Sequence, residues 1–104
     1  MEEVTLTQEV IDKMKEKFGE IYKVNLGGKE FVYRPMKRIE YKQIMSNPES
    51  PRSYIEEQVV QRCLIHPVLD PTALGAAKAG TVSTITELIM QASNFGITEE
   101  PIKL

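Results

Sequence analysis

The sequence predicts an α+β fold: an N-terminal helix, one antiparallel β-hairpin, and then a small bundle of about four helices. Three observations predict it. Gly27-Gly28 sits between two runs of alternating polarity, the pattern of a two-residue hairpin turn with positive φ. Apolar residues recur at three- and four-residue steps on either side of that hairpin, the period of an amphipathic helix. The composition, 41% hydrophobic and 27% charged over 104 residues, is that of one globular domain and not of a disordered chain. Residues 1–96 are read as the domain and 97–104 as a C-terminal tail.

In the first helix Val10, Ile11, Met14 and Phe18 form the apolar stripe, with Asp12, Lys13, Lys15, Glu16 and Lys17 on the other face. Thr5 or Thr7 can cap it, Gln8 is placed for a capping box from Thr5, and Gly19 is a natural stop. The hairpin strands, Ile21 to Leu26 and Lys29 to Arg34, pair Leu26 with Lys29, Val24 with Phe31 and Tyr22 with Tyr33. That register puts Tyr22, Val24, Phe31 and Tyr33 on a core-facing side and Lys23, Asn25, Glu30 and Val32 on the other.

Pro35 closes the second strand. A helix over Lys37 to Met45 turns Tyr41, Ile44 and Met45 inward and leaves Lys37, Arg38 and Lys42 outside. After the loop 46–51, with Ser50 suited to cap and Pro51 to the first turn, the helix Arg52–Ile65 buries Ile55, Val59, Cys63 and Leu64. Pro67 ends it by restricting His66. Asp70-Pro71 starts a short helix through Ala77. Thr81 caps a last helix with the stripe Val82, Ile85, Leu88, Ile89 and Ala92, ended by Asn94 and Gly96.

The inventory for catalysis is thin. His66 is the only histidine, and its place before Pro67 at a helix end suits a hydrogen bond to a terminal carbonyl. Cys63 and His66 are spaced to share a helix face, but zinc takes three or four protein ligands and no second Cys or His completes a site. Gly75 to Thr81 lacks the lysine of a phosphate loop and follows no strand, so it reads as two helix boundaries around an alanine-rich turn. Glu56-Glu57 and Glu99-Glu100 are adjacent pairs that diverge on a helix and read as solvated surface. No catalytic residue, metal site or cofactor is assigned.

Net charge is −2, yet residues 23–42 carry six bases and two acids. Arg34, Lys37, Arg38 and Lys42 form the centre of a candidate basic patch. Basic residues among aromatics can hold single-stranded nucleic acid, but the hairpin aromatics share the core-facing side, where stacking on a base is blocked. A solvated edge that discourages strand pairing is the stronger reading. The apolar residues outnumber the places to bury them: Met14, Met36, Met45 and Met90 stand beside Tyr54, Ile65, Leu69 and Phe95. Met36, Ile39, Met45 and Tyr54 are the candidate contacts for a protein partner, and self-association is an open alternative use of the same surface. No apolar stretch reaches the length that crosses a bilayer. Met1-Glu2-Glu3-Val4 lacks the features of a secretion signal, so a cytoplasmic location is expected.

One stretch, Lys29-Glu30-Phe31-Val32-Tyr33-Arg34-Pro35 followed by Lys37-Arg38-Ile39-Glu40-Tyr41, resembles the hairpin-then-helix opening of small tail-assembly or baseplate-assembly chaperones of tailed bacteriophages. Cys63-Leu64-Ile65-His66-Pro67, Ala79-Gly80-Thr81 and Ser93-Asn94-Phe95-Gly96 resemble later helix boundaries of the same family, so the likeness spans residues 20–96. The resemblance implies a protein of the infected host's cytoplasm that binds apolar helical stretches of the tape-measure protein and keeps them soluble. The near-neutral charge argues against a simple charged coat. Two other readings stand beside it: a structural subunit retained in the virion, in tail, baseplate or neck, and a small nucleic-acid-binding regulator.

Overall fold

The computed structural model describes residues 6–95 and 101–104, which form five helices and a three-stranded antiparallel sheet. In order these are α1 (Gln8–Phe18), β1 (Tyr22–Leu26), β2 (Lys29–Tyr33), α2 (Arg38–Ile44), α3 (Arg52–Cys63), β3 (Leu64–His66), α4 (Pro71–Ala76) and α5 (Ala79–Ala92). The α+β class is as the sequence predicts. The third strand is not.

Helix α1 starts where Thr7 Oγ1 accepts the N–H of Val10, and it stops at Gly19, whose φ of 81° needs no Cβ to be accommodated. Thr5, the alternative cap, lies outside the described residues. The hairpin has the expected register, Tyr22 against Tyr33, Val24 against Phe31 and Leu26 against Lys29. Gly27 and Gly28 both take positive φ, as the two-residue turn demands.

Expected to continue through Ile65, α3 instead ends at Cys63, and Leu64–His66 pairs with β2 as β3. Pro67 already forces His66 towards extended backbone. The free edge of β2 then offers hydrogen bonds that one more helical turn would not supply, and the Arg34 N–H donates to the Cys63 carbonyl at 2.9 Å. With strand order β1-β2-β3, β2 is central. Val32, placed by alternation on the polar face, is therefore buried, with Lys23 and His66 opposite it on the two neighbouring strands.

The core lies between the sheet, α3 and α5, and its most enclosed side chains include Val59, Val60, Cys63, Ile85 and Ile89. Helix α3 starts at Arg52 as expected, but the extended residue ahead of it is Pro51, and the Ser50 N–H donates to the Asn47 carbonyl. By contrast, α5 begins two residues before Thr81, because Lys78 is already extended and accepts the Thr81 N–H. Asp70 caps α4 as expected, its Oδ1 accepting the Ala73 N–H at 2.8 Å. Thr86 is buried on α5 and donates its hydroxyl to the Val82 carbonyl. Ser93 Oγ accepts the Met36 N–H at 2.7 Å and donates to the Ile89 carbonyl at 2.6 Å, tying the end of α5 to the segment before α2. Residues 101–104 are exposed and carry no regular structure; the rest of the expected tail lies outside the described residues.

Helix α1 departs most from expectation. None of its residues is buried, and none joins the core or the side chains packed on it. Its stripe was expected to be covered by the domain, but the body is closed by α3 and α5 without it.

Candidate protein-interaction surface

Three of the four expected partner contacts are on the surface. Ile39 is 63% exposed, Tyr54 48% and Met45 41%. Ile39 is free because Ile44 and Tyr41 take the inward positions of α2, and Arg38 and Lys42 stand next to it on the same helix. Met45, expected inward, falls after the last residue of α2, loses the helical phase and points out. Met36 is the exception: it is 7% exposed, packs in the core and anchors its N–H on Ser93, so it cannot serve as a contact.

Tyr54 lines an open groove of about 400 Å³ between the end of α2, the loop 46–51 and α3, together with Gln43, Ser46, Asn47 and Arg62. Arg62 Nη1 donates to Gln43 Oε1 at 2.7 Å across it. Ile39 and Met45 do not line this groove, so the structure places the expected contacts on α2, at its C-cap and on α3 without joining them in one pocket.

A second groove, of about 560 Å³, was not foreseen. It runs between the start of the hairpin and the end of α5, bounded by Tyr22, Tyr33, Met36, Leu88 and Ala92 with Glu20 at its rim. It continues past Met36 and Ser93 to Lys37, Tyr41 and Phe95, where the Tyr41 and Phe95 rings meet at 4.9 Å. Tyr22 was expected in the core. It is 39% exposed instead, stacked on Tyr33 at 5.6 Å on the edge strand β1 and open to the groove. Its hydroxyl donates to the Glu20 carboxylate, which raises the phenol's pKa. The sequence carried one hint of this groove, an aromatic at each end of the predicted hairpin strands.

The basic patch is smaller than it looked. Arg34 makes a bidentate pair with Glu40 at 2.8 and 2.7 Å and also donates to the carbonyls of Pro35 and Arg62, so it is a structural cation. Lys23 pairs with Glu30 at 3.7 Å. Outside those pairs, Lys29, Lys37, Arg38 and Lys42 remain exposed. The Arg38 guanidinium lies 5.3 Å from the Tyr41 ring centroid. Cys63 and His66 do not share a helix face, since one ends α3 and the other ends β3. Burial pushes the Cys63 thiol up to about 11. Among the described residues no three His, Cys, Asp or Glu side chains gather as a metal site would require. Glu56, read as solvated, is instead held: it accepts from Ser83 Oγ at 3.1 Å and faces Arg52 at 3.5 Å. No described helix is long and apolar enough to cross a membrane.

No protein-family model, curated protein or solved structure matches the chain.

Proposed function

We propose that this is a non-enzymatic bacteriophage morphogenesis protein, a tail- or baseplate-assembly chaperone that acts in the infected host cell's cytoplasm. Its partner is an apolar helical segment, such as those of a tape-measure protein. One observation carries the reading: Ile39, Met45 and Tyr54 stand exposed on α2, at its C-cap and on α3, two helices that pack on each other. Fully burying an apolar side chain is worth about 1.5–3 kcal/mol, and these three are already partly covered. Their combined contribution is therefore a few kcal/mol, against an association cost of at least about 4 kcal/mol. These three side chains alone do not offset that cost, so binding draws on further contacts along the partner and stays reversible, which suits a chaperone that tube subunits must later displace.

The test is co-expression with the tape-measure protein of the same phage. The wild type is expected to keep it soluble and to co-purify with it. The double variant I39D/M45D is expected to fold normally and lose both effects; retention of both by a folded variant would refute the assignment. Mass spectrometry of purified particles separates the virion-subunit reading, which requires the protein at stoichiometric copy number.

A further inference from the structure

Among the described residues, the amphipathic helix α1 stands apart from the core cluster. Val10, Ile11 and Met14 are half-buried, Phe18 is 38% exposed, and none touches the core cluster. The charges around this stripe are sorted. At about 100° per residue, Lys17 follows Val10 on one border of the stripe and Lys15 follows Ile11 on the other, while Glu9, Asp12 and Glu16 centre about 180° away from it. Lys13 is turned towards that far side and pairs with Glu9 at 3.5 Å. Lys17 lies 5.3 Å from the Phe18 ring centroid, at the edge of the apolar strip. A partner seated on the stripe therefore meets lysines on both flanks and no carboxylate.

We infer that the α1 stripe of Val10, Ile11, Met14 and Phe18 is a docking surface for an amphipathic helix of another protein whose own apolar stripe is bordered by acidic residues. A second α1 does not fit, since pairing two copies face to face sets lysine borders against lysine borders. An anionic membrane fits less well than a helix. The three acids of α1 balance its three lysines. Across a helix about 10 Å wide, comparable to the Debye length, a charged bilayer feels the sum, whereas a docked helix feels only the borders. The surface is distinct from the one holding Ile39, Met45 and Tyr54, so the inference stands independently of the chaperone reading.

Two labelled helical peptides test it, each with leucines at i, i+3, i+4 and i+7, one bordered by glutamates and the other by lysines. Anisotropy titration of the full chain is expected to show the glutamate-bordered peptide binding about tenfold tighter, as two surface attractions replace two repulsions. The difference should shrink as salt rises. The variant M14D should bind neither peptide while keeping the wild-type circular dichroism, and K15E/K17E should reverse the preference. Equal binding of both peptides would overturn the inference, as would failure of either. So would flotation with vesicles of equal parts phosphatidylserine and phosphatidylcholine without peptide binding, or a dimer that M14D dissolves. A negative peptide result leaves the solubilisation assay, which reads another surface, to decide the chaperone question.

Discussion

The Arg34–Glu40 pair fixes the link between the sheet and α2. The two groups are six residues apart across Pro35, and the same guanidinium also caps the Arg62 carbonyl near the end of α3. Hydrogen bonds from Arg34, helped by the Lys37 N–H, hold the Glu40 carboxyl at about 2 despite the opposing effect of burial. A carboxyl whose pKa is lower in the folded than in the unfolded chain stabilises the fold above its ordinary value of 4.5 and loses that contribution as pH falls through about 2. Urea unfolding between pH 7 and pH 2 should show this loss, and E40Q should flatten the profile in that window. At pH 7 the substitution should cost about 3 kcal/mol, because it strands a mostly covered guanidinium. Neither residue announced the pairing in the sequence: a separation of six across a proline matches no helical or strand rule, so Arg34 read as one of a basic cluster. Cys63 was legible as a buried thiol. With its pKa raised to about 11, it should react with a disulfide reagent at pH 8 only as fast as the chain unfolds.

At the scale of elements, local chemistry decided what could be read. The hairpin register followed from Gly27-Gly28 and the alternation around it, and the Asp70 cap followed from Asp-Pro. Strand β3 did not, because Leu64 and Ile65 continue the apolar run of α3; only the open edge of β2, a non-local feature, makes them a strand. The helical stripes were visible but their destinations were not. Stripes on α1 and α5 look alike in sequence, yet Ile85 and Ile89 are fully enclosed while α1 has half-buried residues and no buried one. Chemical denaturation should separate them: I85A is expected to cost 2–5 kcal/mol, roughly the range for emptying a packed aliphatic site. M14D is expected to stay within about 0.5 kcal/mol of wild type. G28A should cost about 1 kcal/mol, since φ there is +82°.

The whole molecule measures 56 × 32 × 25 Å, long for a chain of this size. Its stability is therefore uneven. An isolated helix shorter than about 12–15 residues is marginal in water, and α1 has 11 with no tertiary support among the described residues. Hydrogen exchange should find α1 amides exchanging orders of magnitude faster than those of α3 and α5, with protection appearing at α1 when an acidic-bordered helix is bound. The sequence revealed the α+β class and the four helices after the hairpin, because these depend on pattern alone. How much apolar surface one core of this size can cover is a property of the assembled body, which is why the exposed contacts were only partly anticipated and the groove beside Tyr22 not at all.

Glu20 and Asn94 line that same groove. The link from α1 into the sheet thus runs beside the point where α5 ends, like two cords through one eyelet. A bulky probe attached at either residue would shade the groove from both chain crossings at once, so labels for binding studies belong away from Glu20 and Asn94.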